Sequence, residues 1–495
     1  MESIEELRAA IDHIDRELVP LLCARMAVTD RVGAYKKPRN LPVLAPERER
    51  SLLDKIETMA GEEQKDALLT IYRVILSASR AGQKKQGCGR YGLLGEKLGH
   101  SHSPKIHELL GGYPYDLIEL KPEELGDFLK TGSFDGLNVT MPYKKSVIPY
   151  CKTLTHRAKT LGSVNTIVRQ PDGSLLGHNT DYEGFLYLLK SADAQIEGKK
   201  ALVLGSGGAS LTVQAVLKEL GASQVVVISR TGPDNYENIG RHADAQFIVN
   251  ATPVGMYPNN GGCPVRLEDF PRLEGVFDLV YNPLKTKLIL EAERLRINCQ
   301  GGLGMLVAQA RGSAELFLER EIPDSAVEEV LAQLTGSVRN LLLIGMPGSG
   351  KTTVGKALAQ KLGRPLSDLD SLIEEKAGKP IPAIFAEAGE EAFRKLEHEV
   401  LQGESKKSGI VISCGGGIVT RPENIPLLHQ NSLVIWLRRP LGELSTEGRP
   451  LSRSRDVESL YRERKDLYEE NADLCVDNTT VVEETVSEIV RRVFG

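Results

Sequence analysis

The chain of 495 residues has little of what would mark a secreted, membrane-bound or nucleic-acid-binding protein. Seven cysteines (Cys23, Cys88, Cys151, Cys263, Cys299, Cys414, Cys475) are scattered, odd in number and free of CxxC pairs. That pattern argues against a disulfide framework and a zinc site, and it fits a reducing compartment. No run of ~18 apolar residues occurs, and the start, MESIEELRAA, lacks a basic segment followed by an apolar one. A cytoplasmic protein with no membrane partner is expected. Against 62 Lys and Arg stand 67 Asp and Glu, a net charge of -5, so nothing draws the chain to nucleic acid in general. Small anions must then be held by local Lys and Arg. Repeats and low-complexity tracts are also missing.

Hydrophobic residues at 41% and charged residues at 26% are ordinary for a folded globular protein. The length exceeds what one core serves, and about one domain per 150 residues suggests three. Residues 4 to 35 place Leu7, Ile11, Ile14, Leu18 and Leu22 at helical steps on one face. After a proline-containing turn (37 to 46), residues 47 to 59 and 64 to 81 repeat the periodicity, so this region reads as three helices. A polar linker, 82 to 90, ends it. From Tyr91 short β-branched runs (201 to 204, 225 to 228, 247 to 249) alternate with helical patterns, the sign of parallel βαβ units. A second linker (335 to 339) leads to a buried strand, 341 to 344, and at once to a glycine loop.

That loop, Gly345-Met346-Pro347-Gly348-Ser349-Gly350-Lys351-Thr352, is a full G-x-x-x-x-G-K-S/T motif between strand and helix. Glycines let consecutive amides such as those of Gly348, Ser349 and Gly350 wrap a phosphate, Lys351 reaches the terminal phosphates, the Thr352 hydroxyl suits Mg²⁺, and Thr353 belongs to the same nucleotide site. The loop specifies a nucleotide and leaves the acceptor open. Asp368-Leu369-Asp370, Gly389 to Arg394, Gly415-Gly416-Gly417, Arg449-Pro450-Leu451 and Arg464 before Leu467 follow in the order that resembles shikimate kinases. The resemblance implies that Asp368 supports Mg²⁺ and that Asp370 orients or deprotonates the ring hydroxyl. Arg394, Arg464 and the amides of Gly416 and Gly417 would hold shikimate, with Arg449 as a lid on ATP. Asp466 stands where the family commonly has proline.

In the middle region Gly205-Ser206-Gly207-Gly208-Ala209-Ser210 follows the strand ALVL and opens a helix, where amides can receive a pyrophosphate. A NAD site would want an acid at the end of the next strand; Ser229-Arg230-Thr231 instead offers arginine for the 2′-phosphate of NADP. The series from His100-Ser101-His102-Ser103 through Asn138-Val139-Thr140, Lys144, Asn165, Asp181, Asn250 and Gln309 is similar to shikimate dehydrogenases. By that resemblance Ser101 and Ser103 hold a carboxylate, and Asn138, Thr140, Asn165 and Gln309 meet hydroxyls or the carboxylate. Tyr281 lines the site, and Lys144 with Asp181 forms the catalytic dyad. His100 and His102 could mimic a metal pair, yet no further ligands accompany them.

The first region carries neither nucleophile nor glycine loop, only Arg8, Arg25, Lys36, Arg48, Glu49, Ser79 and Gln83 on apolar helices. Their order resembles the all-helical chorismate mutases, whose reaction needs a held conformer and charge stabilisation rather than covalent catalysis. By resemblance, Arg8 and Arg25 clamp the carboxylates of chorismate, and Lys36 and Gln83 donate to the ether oxygen. Glu49 takes the ring hydroxyl, Ser79 assists and Arg48 lies at the periphery. Pro20 sits inside the first helix, where proline costs about 3 kcal/mol or bends it.

The expected architecture is therefore multidomain. An all-α mutase-like domain (1–86) precedes a two-lobed α/β dehydrogenase-like domain (88–334; substrate lobe about 88–190 plus C-terminal helices, NADP lobe about 197–300) and a P-loop kinase-like domain (338–495). Expected activities are chorismate to prephenate, NADPH reduction of 3-dehydroshikimate to shikimate, and ATP-dependent phosphorylation of shikimate. The alternative for the helical region is a dimerisation or effector-binding module; for the whole chain it is a nucleotide-regulated scaffold. Small helical domains of the resembled type pair two chains through their first helices, so a homodimer is expected.

Overall fold

The computed structural model describes residues 3–36, 46–61, 64–85, 90–99, 101–444, 457–478 and 481–494; the side chains of residues 46, 77 and 81–85 lie outside that set. Arg449, His100 and the Gln83 side chain are therefore among the expected site groups that fall outside the described residues. Two compact units emerge. The first joins Met1–Ser191, Leu211–Glu219 and Gly304–Val330, and the second joins Ala192–Ser210, Leu220–Leu303 and Leu331–Gly495.

In the first unit the helical region forms α1 (Ile4–Lys36), α2 (Pro46–Met59) and α3 (Lys65–Lys85). The helix α1 runs unbroken through Pro20. Its apolar face finds no core among the described residues: Leu7 is 44% exposed, Ile11 57%, Ile14 61% and Leu18 45%, and Gly33 alone is buried among the described residues of α1. The rest of the unit is built on a six-stranded sheet. Its strands are β1 (Tyr91–Gly95), β2 (Tyr115–Glu119), β3 (Gly136–Val139), β4 (Thr153–Leu154), β5 (Thr166–Arg169) and β6 (Leu175–His178), in the order β2-β1-β3-β5-β6-β4. The three strands β2, β1 and β3 are parallel, and β5 runs antiparallel to both β3 and β6. All four β3 residues are buried, which matches a central strand covered on both faces.

The second unit holds two parallel sheets. One comprises β7 (Lys200–Leu204), β8 (Gln224–Ile228), β9 (Phe247–Asn250), β10 (Gly275–Asp278) and β11 (Asn298–Gln300), ordered β11-β10-β9-β7-β8. The other comprises β12 (Asn340–Ile344), β13 (Leu366–Asp368), β14 (Val411–Ser413), β15 (Ser432–Arg438) and β16 (Leu474–Asp477), ordered β13-β14-β12-β15-β16. The strands expected at 201–204, 225–228, 247–249 and 341–344 lie within β7, β8, β9 and β12. In each sheet the chain leaves a buried strand, β12 throughout and β7 in all but its first residue, for a glycine turn at the carboxyl ends, the edge where open α/β sheets bind ligands. Within this unit the two sheets are tied by a buried amide pair: Gln430 donates to the Asn260 carbonyl at 3.0 Å, and Lys285 N–H donates to the Gln430 carbonyl at 2.8 Å.

Candidate functional sites

On the helical region α1 meets α3 where Arg25 Nη1 donates to Ser79 Oγ at 2.6 Å. The Ser79 hydroxyl in turn donates to the Ile75 carbonyl, 2.8 Å away. Glu49 on α2 accepts from Arg80 Nη1 on α3 at 2.8 Å, an arginine that sequence reasoning missed. Lys36 is half-buried at the end of α1, whereas Arg8 and Arg48 are exposed. Seventeen residues of one helix separate Arg8 from Arg25, a rise of about 25 Å. One chain therefore does not bring the two expected carboxylate clamps together on α1.

In the six-stranded part a polar cluster centres on Asn165, which is 2% exposed at the entrance of β5. Lys144 Nζ lies 2.6 Å from Asp181 Oδ2, and Asn165 Nδ2 donates to the other carboxylate oxygen at 2.9 Å. The same amide reaches Thr180 Oγ1 at 3.0 Å and Gln309 Oε1 at 3.4 Å, while its carbonyl oxygen accepts from Thr180 N–H at 2.7 Å. Asp181 opens the helix Asp181–Ser191, so backbone geometry fixes the carboxylate that holds the lysine. Ser101 and Ser103 stand together, their hydroxyls 3.1 Å apart, and Thr140 follows β3 half-exposed.

Asn138 behaves differently from the expectation. Its oxygen accepts from Tyr115 Oη at 2.7 Å and its amide donates to Ser313 at 2.6 Å and Thr166 at 3.2 Å, with 5% of the residue exposed. Both ends of the amide are committed to the core, so it supports the cluster rather than facing a ligand. Thr166, Thr180 and Ser313 complete that buried network and were not singled out from sequence. The adjacency of Thr166 and Thr180 to Asn165 and Asp181 was the available signal; for Ser313 there was none.

At the β7 edge Gly205 has φ 104° and a Cβ there would come within 2.8 Å of Thr252, so glycine is required. At Gly207 and Gly208 a Cβ would meet nothing within 4 Å, leaving open space before the helix Gly208–Glu219 for a phosphate against Ser206 and Ala209. Ser229 closes β8 buried, and Arg230 and Thr231 are exposed beyond it, which suits a 2′-phosphate. Tyr281 follows β10 in the same unit, its hydroxyl pKa raised by burial.

The β12 edge is the most complete site. Gly345, Gly348 and Gly350 have φ of 143°, 89° and 89°, conformations that favour glycine. The buried Lys351 Nζ donates to the carbonyls of Gly345 and Met346 at 2.9 and 3.0 Å, and Asn478 pins the Ser349 carbonyl at 2.7 Å. Thr352 Oγ1 lies 2.8 Å from Asp368 Oδ2, and Thr353 is exposed alongside. A hydroxyl and a carboxylate oxygen at this spacing are hard donors of the kind Mg²⁺ takes alongside phosphates. No group of three His, Cys, Asp or Glu side chains able to hold a metal occurs among the described residues, so phosphate oxygens would complete the shell.

Beside the loop lies a cavity of about 240 Å³ lined in part by Asp370, Arg394, Gly416, Gly417 and Arg464. Arg394 is 5% exposed and is gripped by Glu397 at 2.6 Å and Glu390 at 3.2 Å. Arg464 Nη1 donates to the Gly416 carbonyl at 3.2 Å, and Tyr468 Oη donates to the same oxygen. Glu397 was missed from sequence, although its place three residues after Arg394 on a helix was a signal. Burial pushes its carboxyl above the usual carboxylate range against the pull of Arg394. A Cβ on Gly417 would sit 2.1 Å from Arg394, and one on Gly416 would sit 2.6 Å from Pro347, so the glycine run lets backbone pass between loop and arginine.

These features define a multidomain α/β enzyme with a helical N-terminal region, a dinucleotide-type sheet and a P-loop sheet. Sequence models of known families match in the same order: chorismate mutase type II over residues 7–84, the shikimate dehydrogenase substrate-binding domain over 93–167, and shikimate kinase over 347–494. An NADP⁺ shikimate dehydrogenase of Clostridium perfringens is 35% identical over 266 residues, covering 49% of this chain and 97% of that protein. One from Halothermothrix orenii is 37% identical, covering 46% and 89%. Among solved structures, a chorismate mutase/shikimate 5-dehydrogenase fusion protein from Clostridium acetobutylicum is 34% identical, covers 50% of this chain and 97% of that one, and has a TM-score of 0.48. The chain belongs to the shikimate dehydrogenase family, with a chorismate mutase type II segment before that part and a shikimate kinase segment after it.

Proposed function

We propose that the chain is a trifunctional enzyme of aromatic biosynthesis that rearranges chorismate to prephenate, reduces 3-dehydroshikimate to shikimate with NADPH, and phosphorylates shikimate with ATP. The domains run 1–86, 88–334 and 338–495. The observation that carries the reading is the pairing of Lys144 with Asp181, fixed from behind by Asn165.

In the reduction, bound NADPH supplies a hydride to the substrate ketone. The Lys144 ammonium protonates the alkoxide that develops, and Asp181 holds both that ammonium and a neighbouring hydroxyl. Ser101 and Ser103 take the carboxylate, while Thr140, Asn165 and Gln309 meet the ring hydroxyls. Arg230 selects NADPH by its 2′-phosphate. In phosphoryl transfer, Lys351 leaves its carbonyl partners for the terminal phosphates, and Thr352 and Asp368 would hold Mg²⁺, which neutralises phosphate charge. Arg394 and Arg464 clamp the shikimate carboxylate, and Asp370, exposed at the first turn of its helix, faces the accepting hydroxyl.

For the rearrangement, Arg25, Lys36, Glu49 and Ser79 of one chain are joined by Arg8 of a second. Support comes from the exposed apolar face of α1 and from the distance along that helix between Arg8 and Arg25. The protein is accordingly a homodimer through α1, acting on small-molecule substrates in the cytoplasm, where its seven cysteines would stay reduced. The same exposed face fits a helical region that only dimerises, and a chorismate assay on the full chain separates the two. One coupled reaction of the purified chain with 3-dehydroshikimate, NADPH, ATP and Mg²⁺ should yield shikimate 3-phosphate. NADPH left unoxidised would sink the dehydrogenase assignment, and shikimate accumulating unphosphorylated would sink the kinase assignment.

A further inference from the structure

The guanidinium of Arg80 stands between two carboxylates from sequence-distant parts of the first unit. Its Nη1 lies 2.8 Å from Glu49 on α2, and its Nε lies 3.4 Å from Glu319, beyond the helix Leu303–Leu318. The side chains of Arg80 and Glu49 are each 14% exposed and that of Glu319 is 29% exposed, so these charges are screened less than surface pairs are. Glu319 has φ 52°, a left-handed backbone that glycine would adopt with less strain. The chain keeps a carboxylate where the helix ending itself favours none. On α3, Arg80 directly follows Ser79, the residue bonded to Arg25, so one turn of helix addresses both Arg25 and Glu49.

We propose that Arg80 and Glu319 are positioning residues of the chorismate site: Arg80 fixes the Glu49 carboxylate for the substrate's ring hydroxyl, and Glu319, from the dehydrogenase part of the chain, fixes Arg80. The inference rests on the mutase reading given above. Its consequence is that the helical region does not hold its own hydroxyl-binding carboxylate in place without a residue some 240 positions later in the chain. A carboxylate that meets the hydroxyl alike in ground and transition states contributes uniform binding. Its misplacement therefore raises KM and leaves kcat nearly unchanged.

The test uses the full-length protein, with dehydrogenase rate as the control for folding, since neither residue belongs to that site. Arg80→Met should raise the chorismate KM by about tenfold or more with kcat within about threefold, and Arg80→Lys should recover most of the loss. Glu319→Gln should raise KM by about threefold, and the double variant should be no worse than Arg80→Met, because the two act in series. A chorismate analogue lacking the ring hydroxyl should show the same KM on wild type and variants. Equal losses with that analogue would overturn the proposal, as would multiplicative effects of the two substitutions or a KM unchanged by Glu319→Gln in an otherwise active mutase. A wild-type chain that leaves chorismate unrearranged would remove the mutase reading and the inference together.

Discussion

Arg394 is held by two carboxylates rather than one, and the nearer partner, Glu397, is itself fully buried with one oxygen lacking a hydrogen-bond partner among the described residues. Removing that charge by Glu397→Gln frees the guanidinium to swing out of the cavity. The KM for shikimate is expected to rise about tenfold, measured by coupled ADP release, with the KM for ATP little changed. An equal rise for both substrates would mean that Glu397 serves the loop instead. His107 gives a second test at this scale. Its ring is fully buried, stacked on Tyr115 at 4.0 Å between centroids, and burial lowers its pKa to about 3. The native state resists a proton that the unfolded chain takes near pH 6.5, so the stabilisation is complete above that value. It is lost as pH falls, at about 1.4 kcal/mol per pH unit between roughly 6.5 and 3. Urea unfolding across that range should show a shallower acid slope in His107→Phe than in wild type. An identical slope would place the acid sensitivity elsewhere. Lys351 was legible because the spacing of its loop motif has a chemical reason, whereas Lys144 and Asp181 were named through the family resemblance of the motifs around them. Ser313 was not legible, since it meets Asn138 across 175 positions and only the folded sheet brings them together.

At the scale of elements, the glycine run 415–417 is a backbone passage rather than a flexible turn. Gly417→Ala should abolish shikimate phosphorylation while leaving NADPH oxidation intact, because the new Cβ collides with the buried Arg394 guanidinium. Survival of more than about a tenth of the kinase rate would show that the arginine can move aside at little cost. The parallel strands following Lys200 and Asn340 were readable as short apolar runs, since sheets covered on both faces need them. The strand β4, two residues long, had no such signature. For α1 the periodicity identified the helix and the apolar face, but not what the face covers. Pattern reports which side of a helix avoids water, and here the described chain supplies no partner for Leu7, Ile11 or Ile14. Pro20 did not end the helix, because about four helical turns on either side outweigh one lost donor.

For the whole molecule, the arrangement of sites predicts independence of chemistry but dependence of assembly. The loop lysine sits in the P-loop domain, donating to the Gly345 and Met346 carbonyls, so Lys351→Ala should eliminate phosphoryl transfer with the dehydrogenase rate within about twofold. Assembly is the sharper test, since α1 exposes apolar residues over most of its length and places Arg8 about 42 Å of helix rise from Lys36. One site cannot use both from a single straight helix. If two copies pair antiparallel through α1, Arg8 of each enters the site carrying the other's Lys36. Arg8→Ala and Lys36→Ala chains should each lose nearly all mutase activity. After co-refolding, a heterodimer holds one site with both substitutions and one with neither, so about a quarter of wild-type activity should return: half the molecules are heterodimers and each has one of two sites intact. Sedimentation of the mixture confirms that dimers have formed. Dimers that remain inactive, or a chain that sediments as a monomer at assay concentration, would refute the shared site.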